Sequence, residues 1–480
     1  MSARTRELFG LVPVSLLVAA GFAAVLATRT QDVSDATLTY GAVFLGLCVV
    51  AHLFIRARVP DADPYMFPLA ALLAAVGLVL IYRIDAELAR EQAQWFVVGL
   101  LFLCATILLV RDHNVLQRYR YLIAAVSIAL LAMPRLPVIG GETRGAFLAI
   151  QLGPISFQPA EFAKLGIIVF LASYLRETGD FLVRPRLGAI PWQRRLLLYG
   201  VPAVLTLIAL LVLGLSPAGS VLLVVFVASL VAVLRERPSL KHFGPLLLVW
   251  GLAMLMLVVI RDLGSSLMFF GGFLALLYVA TGRLSLVGAG ATLFLGGAVF
   301  FANSVSHVRD RVEIWLNPFD PQLVDNESYQ LTQSLFAQAD GGLFGQGFGQ
   351  ALLELPGGGT ILPAADTDLI YAVLANEAGL FGAAGLVGAY LVFVYRGFKT
   401  AMLASDGFSK LLATGLTAVL ALQVFVIVGG VTRVIPLTGV TLPFVSYGGS
   451  SIVANMVLLA LLLIVSDHAR AERLRRGGLV

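Results

Sequence analysis

The sequence predicts an all-α protein, a polytopic bundle of helices that crosses a membrane many times. Of its 480 residues, 59% are hydrophobic and only 13% are charged, whereas soluble domains use roughly 25% charged residues. The apolar residues come in repeated stretches of about 17–25 residues, the length that a helix needs to cross roughly 30 Å of hydrocarbon. These stretches are too long for the strands of a membrane β-barrel and lack their alternation.

Hydropathy along the chain predicts about fourteen membrane spans. If residues 196–234 form a surface hairpin instead of two spans, the count falls to about twelve. The external connection at 303–367 is too long to be structureless in a compact protein, so we expect a functional or separately folded segment there. The predicted spans are residues 8–28, 37–55, 66–82, 93–110, 121–134, 160–175, 196–214, 219–234, 243–260, 265–281, 284–302, 369–395, 411–431 and 452–466.

The distribution of basic residues predicts the orientation of the bundle. With the amino terminus inside and the spans alternating, 23 of the 33 Lys and Arg residues fall in internal segments and nine in external ones. Lys164 alone falls within a span. Because internal loops of membrane proteins carry an excess of Lys and Arg, this asymmetry predicts that both termini are cytoplasmic.

Several classes of function lack support in the sequence. There is no zinc-ligand spacing, nucleotide fingerprint or phosphate-loop pattern, and the five histidines are scattered along the chain. Cys48 and Cys104 fall within predicted spans, so we expect no structural disulfide between them. The net charge of +5 is explained by topology, which leaves no independent argument for binding nucleic acid.

Glu161 and Lys164 lie three residues apart near the external end of a predicted span, so they share one helix face. Ionisable residues inside a membrane are costly unless they pair or face a wet cavity, and they often mark function. One interpretation is a buried ion pair that tightens the bundle. The other is that both side chains line an outward-facing hydrophilic cavity together with Asp368 and the segment around Pro443.

Other polar residues are predicted at the same external side. Arg261 and Asp262 precede a predicted span, where Asp262 is either its N-cap or part of a site. Arg433 precedes the proline- and glycine-rich stretch 435–451, which is either a plain re-entrant loop or the lining of a cavity. Arg311 lies in the long external connection. A transporter pathway would cross the midplane, so this one-sided distribution favours an external site for a lipid-anchored substrate.

Acidic residues gather around the predicted span at 369–395. Asp366 and Asp368 stand two residues apart just before it, and Glu377 lies within it. From the residues alone, Asp368 is either the helix N-cap or a functional carboxylate. The Asp-Thr-Asp spacing could also hold a divalent cation, Mg²⁺ or Mn²⁺, through two carboxylates, although two acids alone are a weak signal.

Five motifs occur in the order found in the SEDS family (shape, elongation, division and sporulation), the RodA/FtsW type, which the chain resembles over residues 66–468. The chain is most similar to long members with two extra N-terminal helices, here residues 1–65. A two-helix insertion is predicted near 190–236 and a basic tail at 469–480. The motifs are FQPAEFAKL, RDLGSSL, YQLTQSLFAQADGGLFGQGFG, DTDLIYAVLANEAGLFG and PLTGVTLPFVSYGGSS.

The resemblance implies a peptidoglycan glycosyltransferase that polymerises lipid II at the outer face of the bacterial cytoplasmic membrane. It also implies a class B penicillin-binding protein as the partner that cross-links the product, and membrane lipid as the surroundings. The family's essential acid stands in a His-Thr-Asp-Phe-type motif that aligns with residues 366–369, which carries the role of general base onto Asp368. Here Asp366 replaces the motif's histidine, and Leu369 its phenylalanine.

In such a reaction a sugar hydroxyl attacks C1 of a sugar held on undecaprenyl pyrophosphate. One base without a second acid resembles the inverting arrangement more than that of a two-carboxylate hydrolase, and the leaving pyrophosphate needs nearby positive charge. The candidates for that charge are Arg311, Lys164, Arg261 and Arg433, the first two being preferred. Further candidate substrate contacts are Glu161, Asp262, Asp366, Glu377 and Ser446. Two alternative functions remain, a transporter of lipid-linked precursor and a non-catalytic scaffold for a penicillin-binding protein.

Overall fold

The computed structural model describes most of the chain outside the 183–261 region. The described residues are 3–29, 36–136, 140, 149–152, 155–182, 262–304, 306–351, 353–355 and 359–477, with scattered residues between 200 and 255.

Long helices dominate these residues. Two short antiparallel hairpins, in which Ile150 pairs with Phe157 and Glu354 with Thr360, are the strands that the described part contains. The helices are α1 (Ala3–Arg29), α2 (Ala36–Arg58), α3 (Met66–Ile84), α4 (Ala86–Leu109), α5 (Val115–Arg118), α6 (Arg120–Ala132), α7 (Pro159–Leu182), α8 (Leu263–Thr281), α9 (Leu284–Ser304), α10 (Ser306–Leu316), α11 (Tyr329–Gly341), α12 (Ile370–Leu403), α13 (Gly407–Val431) and α14 (Gly449–Gly477). The strands are β1 (Ile150–Leu152), β2 (Ile155–Phe157), β3 (Glu354–Leu355) and β4 (Gly359–Thr360).

The helical membrane fold is confirmed. Within the described residues, eight helices are long and apolar enough to cross a membrane, and every predicted span outside 196–260 coincides with a helix. The three spans predicted between 196 and 260 fall outside the described residues except for scattered positions. The total number of spans and the orientation of the termini therefore stay predictions.

The predicted span at 369–395 differs from the structure because α12 is not one continuous helix. Gly379 has φ 65° and ψ −167° inside it, a conformation that glycine adopts without a Cβ penalty. The helix thus has a first part up to Ala378 and a second part that ends at Leu403. Hydropathy predicts one continuous span because both parts of the helix are apolar. Only the backbone geometry reveals the break.

The connection at 303–367, which the sequence predicts to be external, folds into local structure, as the length argument predicted. Its described residues contain α10, α11 and the β3–β4 hairpin, and α11 packs along α12. Gly341 at the end of α11 approaches the backbone of Ala375 so closely that a Cβ would overlap its carbonyl group. The connection is therefore attached to the first part of α12.

The helices α13 and α14 lie at the centre of the described bundle. Helix α14 packs against α4, α7, α12 and α13, and α13 packs against α7, α8 and α12. Side chains in the middle of α14, such as Leu458 and Leu462, are fully buried. Of residues 432–448, which connect these two helices, the stretch 440–446 is buried in the bundle, and this placement creates the candidate site.

The two N-terminal helices pack mainly on each other and on α3, with α2 also reaching α4. Glu7 on α1 is buried and accepts hydrogen bonds from Arg4 and from Nδ1 of His52 on α2, the latter at 2.9 Å. Arg4 also donates to the carbonyl of Ala62, just before α3. A buried carboxylate is stable only when it is paired in this way, so this group joins α1 and α2 to the start of α3.

Candidate active site

The non-helical segment 432–448, here called the inserted segment, runs back between the helices. Gly77 in α3 packs so closely on Val445 that a Cβ would overlap the valine backbone. Gln92 in α4 donates through Nε2 to the carbonyl of Ser446 and accepts from the amide of Gly448, both at 3.2 Å. Irregular backbone at membrane depth needs such partners because lipid offers none.

The inserted segment also holds the Asp-Thr-Asp motif. The amide of Tyr447 donates to the carbonyl of Asp366 at 2.8 Å, and the hydroxyl of Ser446 donates to the carbonyl of Thr367 at 2.6 Å. The same Ser446 hydroxyl accepts from the amide of Leu442 at 2.9 Å. Ser446, a predicted substrate contact, therefore lies at the site as the bridge that fixes the motif's backbone.

Asp368 is not the cap of α12. The helix begins at Ile370 with Leu369 in the N-cap position, and that end has no side-chain cap hydrogen bond. Asp368 is partly exposed, and a Cβ on Gly439 would lie 3.5 Å from its Oδ2. The absence of a side chain at Gly439 thus leaves room beside this carboxylate.

Arg311 in α10 contacts the inserted segment close to Gly439 and Asp368. Its guanidinium donates to the carbonyl of Leu437 at 2.8 Å, two residues before Gly439. Burial lowers the pKa of Arg311, while the negative charges of Asp368 and Asp262 oppose that change. A cation thus stands within electrostatic reach of Asp368, contributed by the external connection.

Of the two roles that the sequence left open for Asp262, the structure shows the N-cap, and the site role stays a prediction. Its Oδ1 accepts from the amide of Ser265 at 2.9 Å, which confirms the N-cap of α8. Burial raises the pKa of Asp262, and the charge of Glu161 adds to that rise, whereas the hydrogen bonds from Ser265 and the charge of Arg311 oppose it. The cap therefore also belongs to the group of charges around Arg311. Arg261 lies outside the described residues.

Glu161 and Lys164 in α7 form a buried pair with a third partner. Lys164 Nζ donates to Glu161 Oε2 at 2.6 Å and to Gln423 Oε1 in α13 at 2.7 Å. Gln423 Nε2 then donates to the carbonyl of Thr441 in the inserted segment at 2.8 Å. The pair is connected to the site through Gln423, and its buried position favours the ion-pair interpretation over direct exposure to a wet cavity.

Two further predicted site residues have partners outside the Asp-Thr-Asp motif. The buried Glu377 accepts from Arg83 in α3 at 3.1 Å, next to the break in α12. Arg433 donates to the carbonyls of Trp315 and Leu316 at 2.9 and 2.7 Å, so it holds the end of α10 against the inserted segment. Both side chains support the walls of the site.

The break in α12 is closed by the glycine-rich stretch after α11. The amides of Leu380 and Phe381 donate to the carbonyls of Gly342 and Leu343, at 2.9 and 3.2 Å. The amides of Gln346 and Gly347 donate to the carbonyls of Asn376 and Glu377, at 2.9 and 3.0 Å. Residues 342–347, here called the glycine clasp, thus replace the helical hydrogen bonds that the break removes.

We expect Gly379→Ala to unfold or severely destabilise the protein in detergent, whereas Gly385→Ala in the same helix should be neutral or slightly stabilising. At position 379 a side chain combines φ 65° with overlap against the backbone of Leu343 and Gly345. At position 385 an added Cβ meets nothing within 4 Å, and alanine favours helix over glycine. Thermal unfolding followed by size-exclusion chromatography measures both, and equal midpoints would contradict the role of the break.

Three residues at the site were missed in the sequence. Gln92 and Gln423 are polar side chains inside apolar helices, so the reasoning applied to Glu161 would have found them. The hydroxyl oxygen of Thr438 is buried and has no hydrogen-bond partner in the described part of the chain. It lies between Leu437, which binds Arg311, and Gly439, which faces Asp368. Buried polar atoms are normally satisfied, so Thr438 is a candidate ligand contact.

The described residues provide only two acids for a cation at Asp366 and Asp368. Among the described residues, one group of three side chains is close enough to bind a metal ion together, and it lies elsewhere, at Asp112, His113 and His468. The divalent cation at the Asp-Thr-Asp motif therefore stays a prediction.

Fold and site together define a class: a multi-pass helical membrane protein with a partly exposed carboxylate within electrostatic reach of a partly buried arginine. The chain belongs to the family of FtsW, RodA and SpoVE, which is the SEDS family that its motifs resemble. The family model, described as a cell cycle protein, matches residues 64–235 and 208–471.

Individual relatives extend this result. The peptidoglycan glycosyltransferase RodA of Mycobacterium tuberculosis (strain ATCC 25618 / H37Rv) is 36% identical over 480 residues, which is 97% of this chain and 91% of the relative. Stage V sporulation protein E of Bacillus subtilis (strain 168) is 27% identical, over 85% of this chain and 98% of the relative.

Solved structures agree with the fold. A chain from a study of how a peptidoglycan synthase complex coordinates polymerisation and cross-linking has a TM-score of 0.58 and 27% identity, covering 85% of this chain and 98% of that one. The crystal structure of the rod shape determining protein RodA of Thermus thermophilus has a TM-score of 0.50 and 25% identity, covering 84% and 96%.

Proposed function

We propose that this chain is a peptidoglycan glycosyltransferase that polymerises lipid II, with Asp368 as the general base. The mycobacterial relative, aligned over nearly the whole chain, is named a peptidoglycan glycosyltransferase. The single observation that carries the assignment of the base is the position of Asp368. It is partly exposed, beside Gly439, and does not cap a helix.

The chemistry needs one proton acceptor and one source of positive charge. The 4-hydroxyl of the acceptor sugar attacks C1 of the donor sugar, so a C–O bond forms to C1 while the bond from C1 to the pyrophosphate breaks. Asp368 takes the hydroxyl proton, and the pyrophosphate leaves as an anion that needs no proton. Attack opposite the leaving group inverts C1, which agrees with a site built on one base.

Arg311 is the residue best placed to stabilise the leaving pyrophosphate. It acts electrostatically on both Asp368 and Asp262, and a guanidinium has five N–H donors in a planar fork. Lys164 already donates to Glu161 and Gln423 inside the bundle. We therefore assign the direct phosphate contact to Arg311 and a supporting role to Lys164. Asp366 is an auxiliary carboxylate whose backbone is fixed by Tyr447.

We expect Arg311→Gln to lower the rate of lipid II polymerisation about 10²-fold or more, since removing one preorganised donor to developing negative charge costs roughly 10²–10³ in rate. Arg311→Lys should recover part of the rate because it keeps the charge. Arg309→Gln, an exposed position on the same helix, is the matched control and should stay near the unaltered rate. Equal polymerisation rates in all three variants would contradict the assignment of the phosphate contact to Arg311.

Partner and location follow from the same family membership. The neighbour from the peptidoglycan synthase complex supports a class B penicillin-binding protein as the partner that cross-links the product. We place the site at the outer face of the bacterial cytoplasmic membrane, with both termini inside. Residues 66–468 form the proposed catalytic core, 1–65 an added two-helix segment, and 469–480 a basic tail. The family match at 64–235 and 208–471 supports that division.

Purified protein supplied with labelled lipid II tests the function directly. Glycan polymer, formed by the unaltered protein and not by Asp368→Asn, supports the proposal. Movement of lipid II across proteoliposomes without polymer would identify a transporter instead. Absence of both activities, with and without the partner penicillin-binding protein, would leave a scaffold.

A further inference from the structure

Two histidines that are far apart in the sequence face each other at a second polar site. His113 follows α4 and His468 lies on α14, and their Nδ1 atoms are 3.0 Å apart. Asp112 completes the group, because one ligand atom from each of the three side chains lies within 4.8 Å of the others. His113 is buried, whereas Asp112 and His468 are exposed, so the group is open to solvent on one side.

The surroundings of His113 fix the direction of its ring. Its Nε2 is hydrogen-bonded to the hydroxyl of Ser409, and the ring stacks on Phe408 with centroids 6.1 Å apart. In the tautomer with Nε2 protonated, Nδ1 presents its lone pair to His468. A metal-binding histidine is typically oriented by such a hydrogen bond from its other nitrogen.

The spacing of the ligand atoms suits a small tetrahedral ion. Zinc binds imidazole nitrogen at about 2.0–2.1 Å, so two nitrogens on one tetrahedral zinc lie roughly 3.3 Å apart. The observed 3.0 Å separation needs only a small shift to reach that value. Two imidazoles and one carboxylate favour Zn²⁺ over Mg²⁺, which prefers oxygen ligands.

We propose that Asp112, His113 and His468 bind a transition-metal ion of the Zn²⁺ type, with solvent as the fourth ligand. The site lies at the end of the bundle away from Asp368. Helix α14 begins beside the inserted segment, and His468 is nineteen residues after Gly449, about 28 Å along the helix at 1.5 Å per residue.

A metal at this place would connect three parts of the bundle. His113 and Asp112 belong to the turn after α4, His468 to α14, and Ser409 to the first turn of α13, which Asp406 caps at 2.9 Å. Because binding to the folded state alone stabilises it, the ion is expected to raise the temperature of unfolding.

The test uses the full chain, purified in detergent with a histidine-free tag, stripped by a chelator and returned to chelator-free buffer. On titration with Zn²⁺ we expect about one tightly bound ion per chain by elemental analysis, and a higher unfolding midpoint. Co²⁺ should give the visible absorption of a tetrahedral site. Mg²⁺ should change neither property.

Variants separate this site from adventitious binding. His468→Gln and Asp112→Asn alter exposed side chains that the fold should tolerate, and each should weaken Zn²⁺ binding at least tenfold. His113→Gln should do the same if it folds. His307→Gln, on α10, is the control and should bind as the unaltered chain does. The proposal is overturned if the stripped protein binds no Zn²⁺, or if the variants bind it equally. Either result would mean that the two rings share only a hydrogen bond.

Discussion

Asp368→Asn is expected to abolish lipid II polymerisation while leaving expression, folding and lipid II binding intact. Asparagine keeps the size of the side chain but cannot accept a proton from the attacking hydroxyl. General base catalysis contributes typically about 10²–10⁴-fold, so the rate should fall by at least that range. Initial rates of glycan formation, together with binding of labelled lipid II to the same preparation, measure the two properties separately.

Changes at Asp366 provide the comparison for this experiment. Asp366→His installs the residue usual in the family's motif and should retain activity, since the backbone contact of residue 366 with Tyr447 does not involve its side chain. If Asp368→Asn polymerises lipid II at a near-normal rate, the base lies elsewhere. If Asp366→Asn is as inactive as Asp368→Asn and activity depends on added Mg²⁺ or Mn²⁺, the two carboxylates hold a metal instead.

Lys164→Met is expected to destabilise the protein by about 3–5 kcal/mol, because removing one partner of a buried ion pair leaves the other charge uncompensated. Here the charge that loses its partner is the carboxylate of Glu161, which is only 5% exposed. The change also removes a donor to Gln423, which holds Thr441. Denaturation in detergent measures the stability, and polymerisation assays measure activity.

The double variant Glu161→Gln/Lys164→Met distinguishes structure from chemistry. It removes both charges, so stability should return close to that of the unaltered chain if the pair acts only within the bundle. Restored stability with low activity would show that the pair also serves the reaction by positioning the inserted segment. If Lys164→Met proves as stable as the unaltered protein, the buried-pair interpretation is wrong.

Much of the architecture could be predicted because apolar length is a local property of the sequence. The helices that contain Leu458, Leu416 and Leu73 consist of continuous hydrophobic stretches. Each predicted span outside 196–260 coincides with a helix of the structure. The break at Gly379 could not be predicted in the same way. Glycine is common in these helices, and what makes this one necessary is the close approach of Gly345 from another part of the chain.

The candidate site could likewise be predicted only in part from the sequence. Asp368, Arg311 and Glu161 could each be selected as an ionisable residue in costly surroundings, and the family motifs indicated which acid is essential. Their assembly depends on the inserted segment. Leu437 accepts from Arg311, Thr441 accepts from Gln423, which in turn binds Lys164, and Ser446 donates to the carbonyl of Thr367, next to Asp368. Tertiary contacts also join Arg433 to the end of α10. No local pattern encodes those choices.

The glycine clasp joins the two parts of α12 across the break at Gly379. Four backbone hydrogen bonds join residues 342–347 to residues 376–381, and Asp368 stands two residues before that helix. A partner protein that binds residues 303–367 would therefore act on α12, and through it on Asp368, without contacting that carboxylate. We expect the amides of Gln346, Gly347, Leu380 and Phe381 to exchange hydrogen at a common rate, because their hydrogen bonds would open together. Widely different exchange rates would contradict this coupling. Under the proposed function, binding of the partner to this connection would then influence glycan synthesis through the break in α12.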